Sequence, residues 1–359
     1  MRVALIHDYL NQYGGAERVL EAFCEMFPDA PIYTLVYDAK ATGLAFEGRD
    51  IRTSFLQRIP MAASRHRYFP VFMPYAVEQF DLSEYDVVIS DSGSYAKGII
   101  TKPATLHISY CHTPHRYAWD NSHKLIEEFG YPRFIKAFGP FFMTYVRMWD
   151  VDASKRVDHF LANSEFVKKR IAKYYNADAQ VIYPPVNVDR FYIGEPQDYF
   201  LMVGRMVPYK KFDIAIRAFN KLGLPLKIIG DGPERGALRK LARSNIEFMG
   251  LVSEPRLPGF YAHAQALIFP QEEDFGVVAA ESLASGRPVI AYRAGGALEI
   301  VKEGESGIFF DEQTEESLTA AVLKFQEMTF NASKVREHAM KFSRDRFKKE
   351  ISEFILAKT

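Results

Sequence analysis

Two doubly wound parallel sheets of the α/β class are what this sequence predicts, and three observations lead there. Short apolar runs alternate with segments of helical periodicity in both halves of the chain, the pattern of parallel strands joined by crossover helices. The 359 residues exceed what one ordinary hydrophobic core organises, so two domains are expected. A proline-marked break, Pro184-Pro185-Val186-Asn187-Val188-Asp189 with Gly194-Glu195-Pro196 soon after, separates the two runs of alternation. The expected boundaries are 1–186 and 187–340, with a last helix, 341–359, that has no core of its own and returns to the first domain.

Composition narrows the class of function. Hydrophobic residues make up 48% and charged residues 25%, the balance of a soluble globular protein. A formal net charge of +0, from 45 basic and 45 acidic residues, argues against nucleic acid as a partner. Two cysteines, Cys24 and Cys111, provide neither a disulfide framework nor a zinc cluster, which fits a reducing cytoplasm. The N-terminus enters directly as a strand, Arg2 to His7, without the regions of a signal peptide. No apolar run approaches the roughly 20 residues that span a bilayer. The stretch from Arg49 to Tyr75 interleaves Arg52, Arg58, Arg65 and Arg67 with Phe55, Tyr68, Phe69, Phe72 and Tyr75. It reads as a helix with snorkelling arginines, then as a patch for peripheral membrane contact, and only distantly as a nucleic-acid surface.

In the first half, Val3–Asp8 is a buried parallel strand, and Gly14-Gly15 opens the helix that carries Leu20, Phe23 and Phe27. A glycine pair between a strand and a helix lets backbone amides approach a phosphate, although a plain tight turn explains it too. Further strands are expected at 32–37 and 86–90. Thr105–Cys111 is another, followed at once by His112-Thr-Pro-His115, two histidines at a strand end without a third ligand at metal-binding spacing. The aromatic run from Trp119 to Trp149, with Phe134, Phe138, Phe141, Phe142 and Tyr145, has the spacing of buried helix faces. Ser164 is an N-cap for the helix of Phe166, Val167 and Ile171.

In the second half, the strand ending at Val203 leads into Gly204-Arg205-Met-Val-Pro-Tyr-Lys210-Lys211. Arginine chelates phosphate oxygens in pairs and lysine adds a point charge, so Arg205 and Lys210 are candidate phosphate ligands. Gly230 to Pro233, with Gly232, and Glu247 to Val252, with Gly250 and Leu251, follow two more strands and offer backbone to a base. From Ala266 to Val301 comes a strand, an acidic turn closing in Phe275-Gly276, and a small-residue helix from Val277 to about Ser285. A second strand then ends at Gly295-Gly296. Glu273 and Glu281 have seven residues between them, the first at the mouth of that helix and the second about one turn inside. A carboxylate at the carboxyl ends of parallel strands accepts hydrogen bonds from sugar hydroxyls. Helix-dipole chemistry alone also favours an acidic residue there.

In this order, the motifs resemble retaining glycosyltransferases of the GT-B fold, family 4, over nearly the whole chain. The E-x7-E pair falls on Glu273 and Glu281, within EDFG and GRPVIAY, and the G-R-x4-K motif on Arg205 and Lys210. Gly14 and Gly15 match the glycine-rich first turn, and His112 the strand-end histidine. The stretches YCHTPHRYAWD and NSEFVKKRI are most similar to bacterial mannosyltransferases of O-antigen or exopolysaccharide assembly. Lys211 departs from the glycine, and Ala279 from the proline, usual at their positions.

The resemblance implies two Rossmann-like domains facing a central cleft and a nucleotide-sugar donor, GDP-mannose first and a UDP-sugar as the alternative. The acceptor is expected to be lipid-linked or a glycan, with no cofactor and no metal. It gives catalytic roles to His112, Glu273, Arg205 and Lys210. It gives donor-binding roles to Gly14, Gly15, Gly230, Gly232, Gly250, Leu251, Phe275, Gly276, Val277 and Glu281 as well. A non-catalytic nucleotide-sugar binder is the alternative from another class. A nicotinamide enzyme is disfavoured because G-x-G-x-x-G is absent.

Overall fold

A computed structural model describes residues 1–61, 63, 70–120 and 133–359, with backbone alone at 117 and 133–140. Contacts divide the chain into two compact units, Met1–Tyr183 with Lys348–Thr359, and Pro184–Phe347.

In the first unit the elements run β1 (Val3–His7), α1 (Gly15–Met26), β2 (Ile32–Thr34), β3 (Ile51–Thr53), α2 (Met73–Glu78), β4 (Val87–Ser92) and β5 (Leu106–Cys111). Then come α3 (Arg116–Trp119), α4 (Arg133–Ser154), β6 (His159–Ala162), α5 (Glu165–Tyr175) and β7 (Ala179–Val181). The sheet is parallel throughout, in the order β3-β2-β1-β4-β5-β6-β7. The order reverses between β1 and β4, so the loops leaving those strands diverge and open the ligand-binding end of such a sheet. The register sets His7 beside Asp91 and Ser92 beside Cys111. Ala4, Ile6 and Val88 pack beneath Met73, Ala76, Val77, Met143 and Val146. Each large apolar side chain buried in this way contributes about 1.5–3 kcal/mol. Ser164 caps α5 by accepting from the Val167 amide at 3.0 Å. Inside this unit Lys97 Nζ lies 2.5 Å from Asp150, whose other oxygen accepts from Trp119 and Tyr175, both at 2.8 Å.

Two readings of this half change. Arg49–Tyr75 is not one helix, because Ile51–Thr53 is an edge strand and Phe55–Arg58 a single 3₁₀ turn. Arg52 lies over the Tyr33 ring and pairs with Asp50 at 2.8 Å, while Phe55, Phe72 and Tyr75 are exposed. Arg65, Arg67, Tyr68 and Phe69 lie outside the described residues. On α4, Met143 and Val146 enter the core, but Phe141 is 72% exposed and Tyr145 44%. They share an outward stripe with Met148 rather than the expected buried face; the side chains of Phe134 and Phe138 lie outside the described residues.

The second unit runs β8 (Phe200–Val203), α6 (Phe212–Leu222), β9 (Leu226–Ile229), α7 (Arg235–Leu241), β10 (Ile246–Gly250), α8 (Leu257–Ala262) and β11 (Leu267–Phe269). It continues with α9 (Val277–Ala284), β12 (Val289–Tyr292), α10 (Ala297–Ile300), β13 (Gly307–Phe310), α11 (Glu315–Gln326) and α12 (Ala332–Ala339). Its parallel sheet has the order β10-β9-β8-β11-β12-β13 and reverses between β8 and β11. The segment after Pro184 is pinned to this unit: Arg287 Nε donates to the Ala262 carbonyl at 2.8 Å and its Nη2 to Gly194, while Arg336 donates to Phe191 at 2.5 Å. The last helix, α13 (Arg344–Leu356), carries Lys348, which pairs with Glu25, and Phe354, whose ring meets His159 at 5.7 Å.

Candidate active site

The reversal point of the second sheet gathers the loops after β8 and β11. Past Gly204, at φ 154°, the chain runs through exposed Arg205 into a 3₁₀ turn at Pro208–Lys210, and Lys211 opens α6. Lys210 Nζ then meets Glu273 Oε1 at 2.7 Å, with the two side chains 13% and 18% exposed. Gln271 donates to the same oxygen at 3.3 Å. The structure therefore joins two sequence-predicted residues that lie 63 positions apart (273 − 210) in a half-buried ion pair. At this burial the attraction exceeds that of a surface pair, although both charges keep some water.

Close backbone packing fixes the pair. The Gly296 amide donates to the Glu273 carbonyl at 2.9 Å, and a Cβ on Gly295 would lie 2.4 Å from that oxygen. A Cβ on Gly230 would lie 1.9 Å from the Gly204 carbonyl, and one on Gly232 2.4 Å from that of Met206. These glycines let neighbouring loops touch each other. Gly250, at φ 70°, leads into Leu251, which is 81% exposed. Gly276, at φ 104°, enters α9 without a side-chain cap, and Phe275 before it is buried against Phe342 at 5.3 Å. Glu281, on α9 with Val277, is 3% exposed and accepts the Tyr261 hydroxyl at 2.8 Å.

In the first unit, the Gly14 amide is committed within the chain, donating to Glu17 Oε2 at 2.8 Å beside Gly15. His112 leaves β5 with Nε2 2.6 Å from Asp91 Oδ1, and its side chain is 16% exposed. His115 is buried edge-on to Tyr95 at 4.9 Å, and burial lowers its pKa. Of the two histidines, His112 is the one with access to solvent.

Sequence reasoning missed what stands behind His112. Asp91 Oδ2 also meets His7 Nδ1 at 2.8 Å, and His7 Nε2 lies 3.7 Å from Glu17 Oε1. Burial opposes charge on His7, yet the carboxylates of Asp91, hydrogen-bonded to it, and of Glu17, close by, outweigh it and raise its pKa to about 10. On His112, burial again opposes the charge, while the Asp91 carboxylate beside it holds the pKa above the ordinary value. Asp91 is shifted down in turn: burial works against it, but the charge of His112 prevails. Asp8 accepts the amides of Gly93, Tyr95 and Ala96 at 2.6–2.7 Å and shapes the loop after β4. Polar residues at the ends of buried strands were the available signal.

Residues 13–190 match the family model "Glycosyltransferase Family 4" and residues 187–345 match "Glycosyl transferases group 1". With both sheets and their strand order, these matches make the chain a glycosyltransferase of the GT-B type. An uncharacterised glycosyltransferase of Methanocaldococcus jannaschii is 25% identical over 90% of this chain and 88% of its own. A GDP-mannose-dependent alpha-(1-6)-phosphatidylinositol monomannoside mannosyltransferase of Mycobacterium tuberculosis is 28% identical over 44% of this chain and 50% of its own. The fold is shared with Anabaena HepE, solved with UDP and glucose, at a TM-score of 0.72 and 18% identity over 99% of both chains. It is shared too with the lipopolysaccharide outer core galactosyltransferase WaaB, at a TM-score of 0.69 and 17% identity over 100% of both.

Proposed function

We propose that the chain transfers mannose from GDP-mannose to a hydroxyl of a lipid-linked or polysaccharide acceptor, with retention at the anomeric carbon. The observation that carries this reading is the Lys210–Glu273 pair at the reversal point of the second sheet, a cation and a carboxylate held 2.7 Å apart where such sheets bind ligands. Lys210 and Arg205 take the diphosphate. As the phosphate draws Lys210, Glu273 turns its acceptor oxygens to the sugar hydroxyls, and Glu281 serves the ribose.

The bond from the anomeric carbon to the phosphate oxygen breaks as the acceptor oxygen attacks on the same face. The acceptor proton passes to the leaving phosphate, so nucleoside diphosphate departs and no protein carboxylate becomes glycosylated. Charge growing on that phosphate is stabilised by Arg205 and Lys210, the kind of contact worth about 10²–10³ in rate. Lys210→Ala and Glu273→Ala are each expected to lower transfer by at least about 100-fold in a labelled-sugar assay. Full activity in either variant would sink this site assignment. A UDP-sugar donor is the second reading, favoured by the UDP in the HepE structure.

A further inference from the structure

The glycine turn at Gly14 and the strand-end histidine at His112 are 98 residues apart (112 − 14) and are joined through three buried side chains. From Gly14 the chain of contacts runs to Glu17 at 2.8 Å, to His7 at 3.7 Å, to Asp91 at 2.8 Å and to His112 at 2.6 Å. Asp91 is 1% exposed and gives one carboxylate oxygen to each imidazole. Among the described residues no hydrogen bond reaches His112 Nδ1. The parallel register makes the arrangement, because His7 and Asp91 are direct partners on β1 and β4 and His112 follows β5.

We propose that Asp91 is a positioning residue that holds His112 by Nε2 as an imidazolium, so that Nδ1 meets the substrate as a hydrogen-bond donor, and that His7 and Glu17 brace Asp91 from behind. The reason is electrostatic. A carboxylate removed from water is stabilised by cations on both oxygens, and two imidazolium ions against Asp91 and Glu17 make the cluster neutral. With Nε2–H committed to Asp91, a neutral ring would offer Nδ1 as an acceptor, while the charged ring offers it as a donor. Asp91 thus decides which partner His112 takes. A charged donor suits a sugar hydroxyl or the leaving phosphate and excludes His112 as the base for the acceptor hydroxyl. The groups facing His112 are Asp91, His7, Asp8 and the edge of Tyr110.

The charge proposed for the ring is argued from its contacts with Asp91 and needs no substrate, while its part in transfer rests on the function proposed above. Nitrogen-15 spectra of histidine-labelled protein, with His112 assigned by its loss in His112→Gln, read the ring charge without substrate. In the native protein both His112 nitrogens are expected to carry hydrogen at pH 7. Asp91→Asn is expected to move the His112 titration down by at least about one pH unit, while His7→Gln, which removes a neighbouring cation, moves it up. Shifts of opposite sign are not produced by general loosening, and His7→Gln serves if Asp91→Asn does not fold. In transfer, Asp91→Asn lowers kcat on the order of 10²-fold, the scale of lost orientation, with donor KM nearly unchanged. A His112 ring neutral at pH 7 in the native protein, or one whose titration is unmoved in both variants, overturns the proposal. Native charge with both shifts but no transfer from any donor would instead count against the proposed function.

Discussion

Lys211 opens α6 at φ 55° and ψ 37°, a left-handed conformation that crowds its Cβ against the backbone. The residue follows Lys210 directly, so the strain sits at the root of the ion pair with Glu273. A non-glycine residue pays roughly 1–2 kcal/mol for that conformation, and glycine loses about 0.5–1 kcal/mol of it to unfolded-chain entropy. Lys211→Gly is therefore expected to raise the melting temperature by about 2–4 °C. A drop in Tm would show that the Lys211 side chain holds the turn. The same conformation explains why glycine suits this position. At this scale Lys210 and Glu273 were readable because each sits in a short motif at a strand end. Asp91 was not, because its partners His7 and His112 are distant in sequence and only the pairing of β1, β4 and β5 brings them to it.

Among the elements, the loops after β8, β9, β11 and β12 are built against one another through glycines. Gly230 has φ 134° and no room for a Cβ, with the Gly204 carbonyl 1.9 Å from where that atom would be. Gly230→Ala is expected to destabilise the second unit by about 3 kcal/mol or more, from left-handed strain and overpacking together. Urea unfolding measures it; a loss below about 1 kcal/mol would mean that the loop relaxes freely. The alternation of strand and helix was legible because apolar runs bounded by glycine and proline have few other uses. β3 was not, since its three residues, Ile-Arg-Thr, lie on a sheet edge with little apolar burial. The outward face of α4 was not legible either. Periodicity shows that Phe141, Tyr145 and Met148 share a stripe, but Met143 and Val146 are as apolar, and only packing decides which set turns inward.

For the whole molecule, buried histidines set how stability varies with pH. His7 has its pKa raised from 6.5 to about 10, so the folded state binds a proton that the unfolded chain releases in between. Its contribution is complete below 6.5 and fades as pH rises through 10. His107 behaves oppositely: burial lowers its pKa to about 4, so acidification from 6.5 protonates the unfolded chain first and stability falls. Melting temperature is expected to peak near neutrality. His7→Gln should flatten the alkaline limb, and His107→Gln, which can keep bonds to Ser90 and Arg156, the acid limb. Alkaline limbs of equal slope with and without His7 would refute that assignment.

The most direct measurement is release of nucleoside diphosphate from GDP-mannose, offered beside UDP-glucose, UDP-galactose and UDP-N-acetylglucosamine, to the native enzyme and to Lys210→Ala. Turnover of GDP-mannose above the others is expected, falling by at least about 100-fold without the lysine. Turnover of a UDP-sugar alone would contradict the donor assignment, and equal turnover in Lys210→Ala would contradict the site.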